Sequence, residues 1–268
     1  MLLSEIQELL KANKPNILLL GDSCHDYYHY GEIKRISPEA PIPIFDLKYS
    51  EKKYGMASNV YGNLKKFDLT VHLHTNFREN IHRYIDCKSN QQVIRIDEKN
   101  DPMGFVDIME DFVDYDSYDI ILISDYDKGT LSYENIETII NIAKSKNIDI
   151  FINTKKNDLA RFEGAFVIIN QIEYDSLISK CSNIIEMSPE IGIIYHPKLP
   201  DASYWFPATD SIKFKSITGI NDAFLAALSM TYNLTKDIIK SIRFANKAIQ
   251  VSIQHHGCIA PTLEVICD

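Results

Sequence analysis

Four short apolar runs, each followed by a polar cluster, constrain this chain more than any other feature. Ile17 to Leu20, Asp119 to Ser124, Ile148 to Asn153 and Ala165 to Asn170 are too short for helices and suit strands buried on both faces. Between the second and third, Tyr133 to Lys146 carries apolar residues at helical spacing. Strand, helix and strand in this order predict a mostly parallel α/β sheet with right-handed crossovers. Pro41 to Asp46 and Gln92 to Asp97 alternate only in part and have no long helix between them, which predicts a small antiparallel sheet added to the main layer. A helix over Ser4 to Ala12, stopped by Pro15, opens the chain. Two more, about Gly219 to Tyr232 and Thr235 to Gln254, lie near its end, the second with Thr235 as N-cap and Asp237 in its first turn.

No repeat, low-complexity block or Gly/Ser linker divides the 268 residues, so one domain over 1–268 is the economical expectation. Acidic residues number 37 against 28 basic, a formal charge of −9, which argues against general nucleic-acid or anionic-membrane binding. Any phosphate site must then be local. Five scattered cysteines without a Cys-x-x-Cys pair point to a reduced, cytoplasmic setting. The opening segment reads as an amphipathic helix rather than a signal peptide, and no apolar stretch approaches the roughly 18 residues of a membrane span.

In open parallel sheets, ligands gather beyond the carboxyl ends of the strands. Four polar clusters sit there: Gly21 to Asp26, Asp125 to Gly129, Asn153 to Lys156 and Asn170 to Glu173. Loops are ordinarily polar, but four of them on one edge make a cleft. Ser216 to Asp222 leads into a helix whose first N–H groups and positive end suit an anion. Asp222 there either takes a proton from an attacking hydroxyl or merely complements the helix dipole. Neither a Walker sequence nor a Gly-x-Gly-x-x-Gly after the first strand is present. His72 and His74 share a strand face but lack a third metal ligand at useful spacing, and Cys24 lacks an evident activating base.

Read together, these pieces resemble the ribokinase and phosphofructokinase-B superfamily of sugar kinases, most closely its heptose 7-phosphate kinase branch. Gly21 to Phe45 (GDSCHDYYHYGEIKRISPEAPIPIF) resembles that branch's first strand, aspartate loop and lid, with Ser37-Pro38-Glu39-Ala40-Pro41 the most specific match. Gly55 to Val60 resembles the paired-glycine sugar segment, and Asn90 to Asp97 the returning lid strand. Ser124 to Gly129, Gly219 to Asp222, Phe244 to Asn246 and Gly257 complete the order, which spans nearly the whole chain.

The resemblance implies a three-layer α/β/α fold with a β lid from about 32–48 and 90–98. It also implies transfer of the γ-phosphate of ATP, with Mg²⁺, to a hydroxyl of a sugar or sugar phosphate. Asp222 is then the general base and Gly219, Ile220 and Asn221 the anion hole. Asp22, Asp26, Gly55, Asn59, Arg95, Asp125 and Lys128 fall on the substrate side, Lys155, Ser188, Asn246 and Gly257 on the nucleotide side, and Asn170 and Glu173 on the magnesium motif. Relatives pair their lids, so a homodimer is expected. Gly219-Ile220-Asn221-Asp222 stands where the family has Gly-Ala-Gly-Asp, Asn153-Thr154-Lys155 stands for Asp-Pro-Lys, and the regions 69–90 and 180–186 are short. These departures set out the alternative, a sugar- or nucleotide-binding pseudokinase; nucleoside phosphorylation on the same scaffold is a third reading.

Overall fold

A computed structural model of the chain describes residues 3–99, 113–188, 191–198, 202–208, 218–253 and 260–267. The parallel sheet expected from the apolar runs is present and forms the middle of three layers. Its strands are β1 (Asn16–Ile36), β2 (Pro43–Met56), β3 (Thr70–Asp86), β4 (Gln91–Lys99), β5 (Ile120–Asp125), β6 (Asp149–Thr154), β7 (Phe166–Asn170), β8 (Ile184–Ser188), β9 (Gly192–His196) and β10 (Tyr204–Pro207). They lie in the order β10-β9-β8-β7-β6-β5-β1-β3-β4, with β2 on β1. From β3 through β8 every neighbouring pair is parallel.

Alternate residues of each strand feed opposite layers. Ile17 and Leu19 pack with α2 (Ala57–Lys66), α5 (Ile220–Thr235) and α6 (Ile238–Ser252) through Val60, Leu64, Phe224 and Ile242. Leu18 and Leu20 pack with α3 (Tyr133–Lys146) through Ile136, Ile139 and Ile140. The remaining helices are α1 (Leu3–Ala12), α4 (Gln171–Asp175) and α7 (Leu263–Cys267). No helix among the described residues is long and apolar enough to cross a membrane.

Two boundaries differ from the sequence reading. Gly21 to Asp26 is strand, not loop, because β1 runs for 21 residues in all, Asn16–Ile36, and continues well past Gly21, where its pairing with β5 ends. Where β5 stops, β2 takes its place beside β1 from Ser23 onward, so the edge stays paired. Gly21 makes this crossing possible: a Cβ there would lie 2.0 Å from the backbone oxygen of Ser124. The second difference is at α6, whose N-cap is Asp237, with a side chain that accepts from the Lys240 amide; Thr235 ends α5, its hydroxyl donating to the Thr231 carbonyl.

The lid is thus an outgrowth of the main sheet. The distal half of β1 is flanked by β2 (antiparallel) and β3 (parallel), and β4 closes the far side against β3. The short region 69–90 is mostly this long third strand. One lid face carries Asp26, Tyr28, Ile81, Arg83, Arg95 and Asp97. The other carries His25, Tyr27, His29, His82 and Tyr84, whose rings stack in a ladder.

Candidate active site

The parallel core places the carboxyl ends of β1, β5, β6, β7 and β8 side by side. All five carry expected site residues on or just after the strand, β8 through Ser188 at its end. Across from them, α5 begins at Gly219, whose left-handed φ of 79° turns the chain into the helix. Asp222, in the first turn, is 1% exposed. Its Oδ2 accepts a 2.7 Å hydrogen bond from Asn59 Nδ2 and its Oδ1 a 3.0 Å bond from the Tyr126 hydroxyl. Burial pushes the carboxyl up to about 7, against the opposing pull of these two bonds and of Lys155. Asn59 is itself steadied on α2, where Asn63 donates to its carbonyl at 2.8 Å.

Toward the lid, Asp26 is buried and pairs with Arg83 at 3.2 Å. Burial raises its pKa and Arg83 opposes that rise. Gly55 faces the same spot: a Cβ there would sit 2.5 Å from Cys24 Sγ and 2.8 Å from Asp26 Oδ2. Arg95, on the outer strand, makes a 2.6 Å ion pair with Asp97 and touches Asp26 only through its field. Lys128 reaches the buried Glu79 at 2.8 Å. Asp125 is enclosed, held by Thr154 Oγ1 at 2.7 Å and by Lys156 at 3.2 Å. Asp22 turns away from a free role, its carboxylate accepting backbone N–H groups of Tyr126, Lys128 and Thr130.

On the other side of Asp222, Lys155 lies 5.6 Å from the Tyr126 ring and pairs with Glu173. Asn170 and Glu173 close a capping box at the start of α4, each side chain bonded to the other's backbone N–H. Farther along, Ser188 Oγ accepts from the Ile191 amide at 3.3 Å, and Asn246 Nδ2 donates to the Pro207 carbonyl at 3.4 Å. Gly192 pairs with both Ser188 and Pro207, so these two expected nucleotide residues share one corner of the sheet, away from Asp222. Gly257 lies outside the described residues. Among the described residues no group of three His, Cys, Asp or Glu side chains is placed to hold a metal, and His72 instead bonds the Tyr118 hydroxyl at 2.7 Å.

Arg83, Tyr126 and Lys156 take part in this site and were not singled out from the sequence. Tyr126 and Lys156 lie in the polar clusters that follow apolar runs, so the sequence holds a signal for both; nothing local marks Arg83, 57 residues from its partner.

No family model matches the chain. The bifunctional protein HldE of Helicobacter pylori is 26% identical over 302 residues, covering 93% of this chain and 65% of that protein. The chain therefore spans about two thirds of the length of that relative. Among solved structures, phosphofructokinase-2 from Escherichia coli in complex with potassium has a TM-score of 0.74 at 12% identity, covering 95% of this chain and 97% of that one. Arabidopsis thaliana ribokinase complexed with ribose and ATP has a TM-score of 0.70 at 11% identity, covering 95% and 98%. With its lid continuous with the central sheet of a three-layer structure, the chain shares the fold of ribokinase and phosphofructokinase-2, and along nearly its whole length its sequence is similar to HldE.

Proposed function

We propose that the chain transfers the γ-phosphate of ATP to a hydroxyl of a sugar or sugar phosphate, with a heptose 7-phosphate as the first substrate to try. The observation that carries this reading is Asp222, buried at the start of α5 and gripped at both oxygens. A carboxyl raised to about 7 is half ionised near neutral pH, where a general base works best. It takes the hydroxyl proton as the sugar oxygen attacks phosphorus. The amides of Gly219, Ile220 and Asn221 stand at the positive end of α5, suited to the charge on the transferred group. Backbone N–H groups do this work whatever the side chains, which is how Ile220 and Asn221 can stand where relatives have smaller residues. In this reading Asp26, Gly55 and Asn59 line the sugar side, and Arg95 and Lys128, paired in the resting chain with Asp97 and Glu79, are the cations for an existing sugar phosphate.

Asn170 and Glu173 offer oxygen donors for Mg²⁺, but their capping box and the Lys155 pair already engage them. They fit a hydrated ion held through water rather than one ligated directly. When bound, such an ion screens the phosphate charges. The lid exposes Ile36, Ile42, Leu47, Ile94 and Ile96, and this apolar surface supports pairing of two lids in a homodimer.

The test is ADP release with ATP and Mg²⁺ against sugars and sugar phosphates, with Asp222→Asn alongside. Sugar-dependent turnover that falls by roughly 10²–10⁴ in the variant is the expected result. A folded sample that binds sugar but turns over none of them would overturn it in favour of a binding protein.

A further inference from the structure

The loop after β5 holds a relationship that the phosphotransfer reading does not use. Asp127 and Gly129 have φ of 55° and 87°, which coil the segment 126–130 so that alternate amides point inward. They point at Asp22. Its Oδ2 accepts from Tyr126 N at 2.9 Å and Lys128 N at 3.1 Å, and its Oδ1 from Thr130 N at 3.2 Å. A buried carboxylate satisfied by three main-chain donors is a fixed anchor. From that anchored backbone the Tyr126 ring crosses Cys24, Met56 and Ile81, and its hydroxyl meets Asp222 Oδ1 at 3.0 Å.

We infer that Tyr126 is a positioning residue for the base Asp222, and that Asp22 acts as the clamp that places Tyr126 rather than as a sugar ligand. The inference rests on the phosphotransfer reading for its catalytic meaning. Asn59 holds one carboxylate oxygen from α2 and Tyr126 the other from the β5 loop, so the plane of the base is set from two separate elements. Each oxygen keeps a second lone pair for the substrate hydroxyl. The charged groups that face Asp222 are Lys155 beyond β6, which favours its ionised form, and Asp26 on β1, which opposes it. Tyr126 adds to the first of these by donating to the carboxylate.

The experiment combines two readouts on Tyr126→Phe, Asp22→Asn and the double variant. One is the pH profile of kcat/KM with the best substrate. The other is the carboxyl carbon-13 NMR titration of Asp222 in the resting protein, assigned with Asp222→Asn. In Tyr126→Phe the acid limb and the NMR midpoint are expected to move up by about one pH unit, with kcat/KM at pH 7 down about five- to tenfold. Asp22→Asn is expected to move both in the same direction, and the double variant to equal Tyr126→Phe alone, because both act along one path. An unchanged midpoint in Tyr126→Phe overturns the positioning role. A raised sugar KM with an unmoved pH limb in Asp22→Asn overturns the clamp and restores Asp22 as a ligand. If no substrate is ever phosphorylated the functional reading fails, yet the NMR titration still decides whether Tyr126 governs Asp222.

Discussion

Arg83 and Asp26 meet on the inner face of the lid, the guanidinium offering both Nε and Nη2 to one carboxylate oxygen at 3.2 Å. They come from adjacent strands, one register step apart diagonally: Tyr28 is the direct partner of Arg83, and Ile81 that of Asp26. The proposed sugar ligand on β1 is therefore aimed by a cation on β3.

Removing that cation isolates a buried charge. Arg83→Met is expected to destabilise the fold by about 3 kcal/mol, because the partner carboxylate stays in place without compensation. Asp26, already raised by burial, rises further. Urea denaturation reads the first effect; a sugar KM that increases more than kcat falls reads the second.

Gly55 leaves room that any side chain would fill. Gly55→Ala places a methyl against Cys24 Sγ and the fixed Asp26 carboxylate, with an expected cost of about 1–3 kcal/mol and weakened sugar binding. Pairing it with Cys24→Ala should recover part of the stability in thermal melts, since half the clash is then gone. No recovery would mean that Asp26 alone sets the limit.

The buried base opposes folding over a definite pH range. The Asp222 carboxyl lies at about 7 in the folded chain and near the ordinary 3.8 of an aspartate when unfolded, so between these values only the native state holds the proton. Stability from this group is full below about pH 4 and is lost as pH rises through 7. Asp222→Asn is thus expected to raise Tm at pH 8 relative to wild type by at least about 2–4 °C, the equivalent of about 1 kcal/mol in a chain of this size. At pH 4 the two should melt together.

The apolar lid surface predicts association. Ile94 and Ile96, two residues apart on one face of β4, are 50% and 46% exposed. Sedimentation at micromolar concentration is expected to give a species of twice the 30.7 kDa chain mass, and Ile94→Lys with Ile96→Lys a species of 30.7 kDa. A wild-type chain that sediments as a monomer rules the interface out.

The parts legible in the sequence are those whose determinants are local. The bounds of α3 follow from Ser132, which forms a capping box with Asn135, and from Ile136, Ile139, Ile140 and Ala143 on one stripe. β5 through β7 follow from unbroken apolar runs that both layers bury. The outer half of β1 escapes this logic. Polar or ionisable groups fill both of its faces, Asp26 toward the site and His25 and His29 toward the ring ladder, so neither alternation nor hydrophobicity marks a strand; long-range pairing with β2 and β3 makes it one. The resemblance puts Asp22 on the substrate side, and its place after an apolar run fits that. Its true partners are main-chain amides more than 100 residues away, and no side-chain identity announces those.

The unbroken passage of β1 and β3 from sheet to lid decides how that lid can deform. A flap on flexible connectors swings; a tongue carried by two hydrogen-bonded ribbons bends like a cantilever, spreading its curvature over many bonds. The ladder between them is interrupted at the slip that leaves Arg78 unmatched beside Ser23 and Cys24, the kind of irregularity at which a strand bends and twists. That point adjoins Asp22. A bend of the tongue at that point displaces the neighbour of the Tyr126 loop's anchor, so the set of the lid and the set of that loop are mechanically joined.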